Sequence, residues 1–358
     1  MSKLRFSVIG AGASGTLMAL IIKNKGYSVK IMDIDTEKIN KIKAVGYLKA
    51  TGKTEGTAEP DLITTDTAEC IKDTDVIMVC STTSAHADVA KAIASTVKTE
   101  QIIILNPGHV GGVLNFKTAL KNAGCDETPI ICEASDMMFA CRVVDAGHTF
   151  HSGIKEKIKL ASIPSGDAYK VAELLKDLFP CYVPVESILM TGFGGGGGML
   201  HSIPCTLNIN KIELKQPFDY YIEGITPGIC KVIEAADAER VSVCKALGVE
   251  AEALLPHLKE MYHLEPDNLY DAIQSCVPYK GIKSPTTTEH RFVQEDTLSD
   301  LVPTASIGHL LGVPTPTMDM IIDLESIMLG KDFKKEGRNV EKLGLAGKTA
   351  AEIRELVK

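Results

Sequence analysis

His201 is the residue best suited by type and position to transfer protons. Histidine titrates nearest neutral pH, so it is the usual donor or acceptor when a reaction must move a proton. Among the nine histidines, His201 follows a run of five glycines, residues 194–198, at the expected junction of two domains. Clefts between domains often form substrate sites. This position predicts an acid–base catalyst, and a structural histidine is the alternative interpretation.

A second group of reactive side chains lies in the segment His290-Arg291-Phe292-Val293-Gln294-Glu295-Asp296. Asp296 could fix the tautomer of His201 and favour its charged form, and Arg291 could bind a substrate carboxylate through two hydrogen bonds. Arg291 and Asp296 are five residues apart and would not share a helical face. Their side chains could therefore enter one pocket only if the segment contained a turn. An exposed loop is the alternative interpretation.

A glycine-rich motif near the start of the chain predicts a dinucleotide site. It consists of Gly10, Ala11, Gly12, Ala13, Ser14 and Gly15. The glycines permit a tight turn, a close approach of the backbone to a pyrophosphate and close packing of a helix on a strand. The helix N-terminus attracts the phosphate charge. A glycine-rich turn without a nucleotide is the alternative, and FAD is a competing ligand.

Asp33 lies at the predicted end of the second strand, 18 residues after Gly15, where a carboxylate accepts hydrogen bonds from the adenosine ribose. Its negative charge would repel the extra phosphate of NADP, and neither Ile34 nor Asp35 supplies a compensating cation. The sequence therefore favours NAD, with NADP as the weaker candidate.

The elements that must position these residues alternate between strand and helix in the first half of the chain. Apolar, β-rich runs are predicted as strands at residues 5–9, 28–32, 76–80, 102–105 and 130–132, and residues 13–25 form a helical pattern. This alternation predicts an α/β fold, with an N-terminal Rossmann domain built on a doubly wound parallel sheet.

After about residue 185 the strand signal fades and helical periodicity takes over. Thr226-Pro227 and Thr315-Pro316 are typical helix starts, while Gly248 and Gly330 are typical helix ends. Thr349 and Glu352 form a capping box for a last helix over 350–357. We expect a dinucleotide-binding domain over residues 1–188 and an all-helical catalytic, substrate and dimerisation domain over residues 189–358.

Composition narrows the classes of partner. With 38 basic and 46 acidic residues the net charge is -8, which disfavours nucleic acid, and ten scattered cysteines without a C-x-x-C pair suggest reduced thiols in a cytoplasmic protein. The apolar stretch over residues 6–22 is interrupted by three glycines, so we expect neither a secretion signal nor a membrane span. His148 and His151 lack nearby acids or cysteines, and no metal site is expected.

Taken together, the motifs resemble the opine dehydrogenase family, in particular the bacterial N-(1-D-carboxyethyl)-L-norvaline dehydrogenase type. The resemblance covers nearly the whole chain and rests on residues 10–15, 106–108, 133–142, 201–204, 220–227, 291–296 and 332–345. It implies that His201 is the catalytic acid and base, that Asp296 is its partner and that Arg291 contacts a substrate carboxylate. Tyr221 is a candidate substrate contact, although Tyr220 and Tyr221 could both be core aromatics.

The resemblance further implies NADH-dependent joining of an amino acid to a 2-oxo acid such as pyruvate, and the reverse oxidation. It also implies a homodimer, for which the apolar helix after Thr315-Pro316 is a candidate contact. One departure is Gly197, where the family pattern has an asparagine; a flexible hinge is the simpler interpretation of the glycine run. The alternatives are a dehydrogenase acting on a 2-oxo acid or on a glycerol-3-phosphate-type substrate, and a non-catalytic NAD-binding sensor.

Overall fold

The computed structural model describes residues 3–193 and 196–358. The chain forms two compact units, Met1–Thr191 with Val357–Lys358 and Gly192–Leu356. The predicted boundary between residues 188 and 189 lies inside a short helix. Gly194 and Gly195, part of the predicted hinge, lie outside the described residues.

The first unit is built on an eight-stranded sheet in the order β12-β11-β8-β7-β6-β1-β2-β5. Each neighbouring pair is parallel except β11 with β8, which is antiparallel. The predicted α/β class is confirmed. Its strands are β1 (Arg5–Ile9), β2 (Ser28–Met32), β5 (Leu62–Thr64), β6 (Val76–Val79), β7 (Ile102–Leu105), β8 (Ile130–Ala134), β11 (Ile158–Ile163) and β12 (Tyr182–Pro184).

Helices connect these strands because apolar residues recur at helical spacing and their buried faces pack on the sheet. The central strand β6 is buried at all four positions, as expected for a sheet that is covered on both faces. The helices of this unit are α1 (Ala13–Asn24), α2 (Thr36–Val45), α3 (Thr67–Ile71), α4 (His86–Ile93), α5 (Gly112–Asn122), α6 (Asp167–Leu175) and α7 (Ile188–Gly192), with a 3-10 turn at Thr83–Ala85.

A second, four-stranded sheet in this unit is a feature that the sequence analysis did not predict. Its order is β4-β3-β10-β9, with β3 and β10 parallel and the other two pairs antiparallel. Much of β9 is solvent-exposed and β4 has only three residues, so neither presents the continuous apolar run that identified the main strands. The bounds are β3 (Leu48–Gly52), β4 (Gly56–Ala58), β9 (Phe139–Asp145) and β10 (His148–Ile154).

Among the described residues of the second unit, the regular elements are helices and the one β-bridge joins Asp219 to Lys283. Its helices are α8 (Met199–Leu207), α9 (Ile209–Glu213), α10 (Pro227–Leu247), α11 (Leu254–Tyr262), α12 (Leu269–Ser275), α13 (Arg291–Asp296), α14 (Val302–Leu310), α15 (Pro316–Leu329), α16 (Phe333–Glu336) and α17 (Ala350–Leu356). A 3-10 turn lies at Val277–Tyr279, and a π-helical turn, Thr297–Leu301, joins α13 to α14.

The helix starts and ends that were predicted from the sequence are observed, but one of the two predicted N-caps forms no capping hydrogen bond. Thr226 caps α10 by accepting a hydrogen bond from the amide of Ile229, and Gly248 ends that helix with a left-handed backbone. Thr315 precedes α15 without a side-chain cap, because its hydroxyl lies against Asp319. The last helix has the predicted reciprocal box, in which Glu352 accepts from the amide of Thr349 at 2.8 Å.

All ten cysteines lie among the described residues, and none of them forms a disulfide bond. In the described part of the chain, no helix combines the length and the apolar character that crossing a membrane requires.

Candidate active site

The glycine motif forms the turn between β1 and α1, and two of its glycines are sterically required. Gly10 has a φ of +104°, and a Cβ there would lie 2.9 Å from the amide nitrogen of Ser81. A Cβ on Gly15 would lie 1.8 Å from the carbonyl oxygen of Gly10. These contacts correspond to the expected roles in the tight turn and in close helix packing.

Gly12, the remaining glycine of the motif, leaves the N-terminus of α1 accessible to an anion. A Cβ on Gly12 would meet nothing within 4 Å, no side chain caps the first turn of α1, and no acidic residue lies in that turn. The free amides of a helix N-terminus attract negative charge, so the turn fits a pyrophosphate group. Ala13 and Ser14 begin this helix, and the Ser14 hydroxyl lies 3.5 Å from the sulfur of Cys141.

Asp33 is tied to the glycine turn at the end of β2. Its Oδ2 accepts a hydrogen bond from the amide of Ala11 at 2.9 Å, and its Oδ1 accepts from the amide of Asp35 at 3.0 Å. An ionised carboxylate offers about four acceptor positions, which leaves room for a ribose hydroxyl.

Lys38 is the charged neighbour that the sequence analysis missed. Its Nζ lies 2.9 Å from Oδ2 of Asp33, so a cation does accompany this carboxylate although positions 34 and 35 provide none. Asp35 caps α2 by accepting from the amide of Lys38 at 3.0 Å, which places the lysine in the first turn of the helix. The signal in the sequence is a lysine in the first turn of the helix that follows the acid.

His201 and Asp296 are brought into direct contact in the second unit, although 95 residues separate them. Nδ1 of His201 lies 2.5 Å from Oδ2 of Asp296, whose side chain is 6% exposed. An ionised carboxylate can only accept, so Nδ1 carries the hydrogen and Nε2 is the nitrogen available for proton exchange. A short, charge-assisted bond of this kind orients the ring.

Tyr221 occupies the other side of the imidazole. Its hydroxyl lies 2.9 Å from Nε2 of His201, and its ring stacks on Tyr279 with centroids 4.0 Å apart. Burial raises the pKa of Tyr221, so its hydroxyl stays neutral. Tyr220 is also buried, and its hydroxyl donates to the carbonyl of His201 at 2.8 Å. Both tyrosines are core aromatics that also bond the histidine.

Phe292 completes the surroundings of His201 and was not singled out from the sequence. The two rings are parallel, with centroids 4.1 Å apart. Phe292 and Asp296 are four residues apart in α13, so they share a helical face, and this spacing was the signal that could have identified Phe292. The charged segment is a short helix rather than an exposed loop.

Arg291 lies at the start of α13 and does not contact His201 directly. Its side chain is 61% exposed, forms an ion pair with Glu295 at 3.6 Å and lies over the Phe292 ring at 5.2 Å. Arg291 and Asp296 therefore leave the same helix in different directions, and no turn separates them.

At two of the described glycines before α8, the lack of a Cβ makes room for a neighbouring acidic side chain. A Cβ on Gly198 would lie 2.3 Å from the carboxylate of Asp300, and one on Gly196 would lie 2.9 Å from that of Asp237. Gly197 differs, because a Cβ there would meet nothing within 4 Å and its φ is not in the left-handed region. The structure therefore has space at 197 for the asparagine of the family pattern.

The glycine turn after β1 and the buried histidine–aspartate pair fit one class of protein, the nicotinamide-dependent dehydrogenases with a Rossmann domain followed by a helical domain. Within that class the chain belongs to the opine dehydrogenase family. It is 38% identical to an opine dehydrogenase of Arthrobacter sp. (strain 1C) over 98% of each chain. Residues 184–329 match the family model described as NAD/NADP octopine/nopaline dehydrogenase, alpha-helical domain. The chain is accordingly an NAD(P)-dependent oxidoreductase acting on CH–NH donors.

Solved structures share the fold over almost the whole chain. An octopine dehydrogenase with NADH and L-arginine aligns with a TM-score of 0.77 at 18% identity over 98% of each chain. A yersinopine dehydrogenase aligns with a TM-score of 0.79 at 15% identity over 95% of this chain and 98% of that one. The same architecture of Rossmann domain and helical domain is therefore confirmed.

Residues 5–109 also match a model described as NAD-dependent glycerol-3-phosphate dehydrogenase N-terminus. This match covers part of the nucleotide-binding unit alone, whereas the opine dehydrogenase similarity spans the chain. The comparisons do not favour the alternative substrate class or the non-catalytic sensor.

Proposed function

We propose that this protein joins an amino acid to a 2-oxo acid, such as pyruvate, in an NADH-dependent reductive condensation, and catalyses the reverse oxidation. The observation that carries the proposal is the His201 imidazole, held at Nδ1 by Asp296 and within hydrogen-bond distance of Tyr221 at Nε2. Family membership supports the same reaction class.

The proposed chemistry needs one group that both accepts and donates a proton. His201 takes a proton from the substrate ammonium group, so that the free amine can attack the carbonyl carbon of the 2-oxo acid. The same imidazolium then protonates the hydroxyl of the resulting carbinolamine, and water leaves as the C=N bond forms. NADH, when bound, supplies the hydride that reduces this bond to a secondary amine.

Asp296 and Tyr221 have supporting roles in this scheme. Asp296 stabilises the imidazolium formed after the first proton transfer, because its buried carboxylate lies 2.5 Å from Nδ1. Tyr221 is a neutral hydroxyl at the proton-exchanging nitrogen, where it can pass a hydrogen bond to substrate. We assign Arg291 to a substrate carboxylate, because its exposed guanidinium provides two parallel donors.

The dinucleotide is assigned to the turn that contains Gly10, Ala11, Gly12, Ala13, Ser14 and Gly15. The open first turn of α1 would hold the pyrophosphate, and Asp33 would accept from the ribose hydroxyls. We propose NAD as the preferred cofactor. Lys38 offsets part of the charge of Asp33, so the discrimination against NADP is expected to be moderate.

We further propose a division of roles in which residues 1–188 bind the cofactor and residues 189–358 provide catalysis, substrate binding and the contact of a homodimer. The helix α15 supports the dimer, because Met320, Leu324 and Ile327 recur at helical spacing with exposed fractions of 53%, 37% and 80%. Sedimentation as a monomer at micromolar concentration would contradict it. Ten cysteines without a disulfide bond support a reducing, cytoplasmic location.

The reaction is tested by a matrix of amino acids against 2-oxo acids, with NADH absorbance as the readout and product mass as the identification. Oxidation of NADH that requires both substrates, with a product mass equal to a reduced condensation product, is the expected result. Equal rates with and without the amino acid would instead identify a 2-oxo acid reductase. The absence of turnover despite NADH binding would support the sensor alternative.

A further inference from the structure

Glu325 is a buried carboxyl group that the proposed reaction does not use. It lies on α15 with 0% of its surface exposed. Its Oε2 accepts a hydrogen bond from the Thr297 hydroxyl at 2.7 Å, and the Thr206 hydroxyl lies 3.1 Å from the same oxygen. The other oxygen, Oε1, is buried without a hydrogen-bond partner among the described residues. A buried acid is costly, so its retention requires a physical explanation.

The two threonines belong to the segments that carry the catalytic pair. Thr206 lies on α8, the helix of His201, and Thr297 directly follows Asp296 at the start of the π-helical turn. Glu325 therefore connects, through one oxygen atom, the backbone segments whose relative position sets the contact between His201 and Asp296. π-helical turns are uncommon and frequently occur at functional sites.

The number of hydrogens available for these bonds indicates whether the Glu325 carboxyl group is protonated. The Thr206 hydroxyl also lies 2.8 Å from the carbonyl oxygen of Ser202, and a hydroxyl has a single hydrogen. If Thr206 donates to Ser202, its bond to Glu325 requires a proton on the carboxyl group. A protonated Glu325 completes a chain from Thr297 through Glu325 and Thr206 to Ser202 in which each hydrogen is used once.

The charges around Glu325 favour the same form. Burial raises the pKa of Glu325 to about 8, and the charge of Asp296 acts in the same direction. The hydroxyls of Thr297 and Thr206 and the positive charge of Lys331 act against this rise. Lys331 is engaged elsewhere, since its Nζ donates to Gln294 at 2.8 Å. Cys205 on α8 is a further titratable neighbour, and burial keeps it a thiol by raising its pKa to about 12.

We propose that Glu325 is a positioning residue for the His201–Asp296 pair, holding α8 and the segment after α13 in register through Thr206 and Thr297. It acts through these residues and does not contact substrate. The inference rests on the proposed function for its catalytic consequence, while the geometric claim concerns the pair alone.

The test compares Glu325→Gln, which keeps the shape and neutrality of the protonated side chain, with Glu325→Leu, which removes its polar contacts. Because misplacing a catalytic group by about 1 Å costs on the order of 100-fold, kcat of Glu325→Leu should fall about 10- to 100-fold, with NADH affinity unchanged. Glu325→Gln should stay within about 3-fold of wild type, because the two N–H groups of its amide can donate to both hydroxyls. Thr297→Val should also lower kcat, but by a smaller factor than Glu325→Leu.

Ile321→Val is the matched control, because Ile321 is a fully buried residue of the same helix. It removes one methylene from the packing without touching the hydrogen-bond chain, so its kcat should equal that of wild type. Circular dichroism and thermal melting check that each variant is folded.

A second readout needs no substrate. The ring proton shared by His201 and Asp296 should give a downfield proton NMR signal, assigned by its loss in His201→Gln. We expect Glu325→Leu to weaken or shift this signal and Glu325→Gln and Ile321→Val to retain it. An unchanged signal and kcat in folded Glu325→Leu would overturn the proposal, as would Glu325→Gln being as impaired as Glu325→Leu. If wild type lacks amine-dependent activity, the proposed function fails while the NMR result still decides the positioning claim.

Discussion

The glycine turn after β1 and the histidine–aspartate pair are assembled in opposite ways. The turn is a contiguous motif whose glycines contact one another, as when the missing Cβ of Gly15 makes room for the carbonyl of Gly10. The pair joins two residues 95 positions apart on different helices, and its contact depends on the packing of the second unit. Local backbone geometry specifies the first site, and tertiary structure specifies the second.

This difference predicts that the two sites fail separately and by different mechanisms. A change in the turn should disturb the backbone and cofactor binding, whereas a change in the pair should disturb proton transfer in a protein that still binds cofactor. The following predictions are arranged from the largest expected effect to the smallest.

Replacing His201 by alanine should lower kcat by roughly 100- to 10,000-fold, because the acid–base group is removed. NADH affinity, measured by fluorescence titration, should remain unchanged. His309→Ala is the matched control, since His309 is also paired with an aspartate, Asp319, at 2.8 Å, but its side chain is 53% exposed. Parallel loss of activity and NADH affinity in His201→Ala would indicate a structural histidine.

Gly15→Ala should weaken NADH binding by about 100-fold or more, because the new Cβ cannot coexist with the Gly10 carbonyl and the turn must open. Calorimetric titration with NADH measures the effect. Gly166→Ala is the control, as its Cβ would meet nothing within 4 Å. Normal NADH affinity in Gly15→Ala would show that the turn does not hold the cofactor.

Glu325→Gln should change how stability depends on pH. Burial raises the pKa of Glu325 from 4.5 to about 8, so the folded state retains a proton that the unfolded chain releases. The corresponding stability is fully present below pH 4.5 and is lost as the pH rises through about 8. The variant should therefore gain on the order of 4 kcal/mol relative to wild type between pH 5 and 9. A pH-independent difference in melting temperature would contradict this.

Lys38→Gln should lower the preference for NADPH relative to NADH by about 5- to 10-fold, because Asp33 loses the cation that offsets its charge. The ratio of kcat/KM for the two cofactors measures it. Lys41→Gln is the control, since Lys41 lies on the same helix but pairs with the exposed Glu37. An unchanged ratio would mean that Lys38 does not influence cofactor choice.

Gly197→Asn should have the smallest effect, a decrease of about 2- to 5-fold in KM for the amino acid, as expected for one added hydrogen bond. Position 197 has space for the side chain, so the fold should not change. Gly197→Ala separates the effect of the amide from that of a stiffer backbone. Equal effects of the two variants would assign the change to the backbone.

The same difference between local and tertiary signals explains which parts of the fold and of the candidate site could be predicted from the sequence. The strands β1 and β2 were predicted at their observed bounds, because continuous apolar runs and glycine turns are local signals. The pairing of His201 with Asp296 was inferred from the family resemblance and could not be derived from spacing. Phe292 lies one helical turn before Asp296 and Lys38 lies five residues after Asp33, so neither is adjacent in sequence to the residue that it contacts or accompanies. Glu325 carries no local signal, since α15 also contains Asp319 and Asp323 and nothing in the sequence distinguishes the buried acid from these two.

The π-helical turn Thr297–Leu301 constrains the number of residues between α13 and α14 as well as their types. A residue adds about 100° of rotation to a helix, so deleting one position after Thr297 would leave Asp296 in place but turn the whole of α14. Val302 and Ala305, which are buried now, would then rotate toward solvent. Homologous sequences aligned through this point should therefore tolerate substitutions far more readily than gaps.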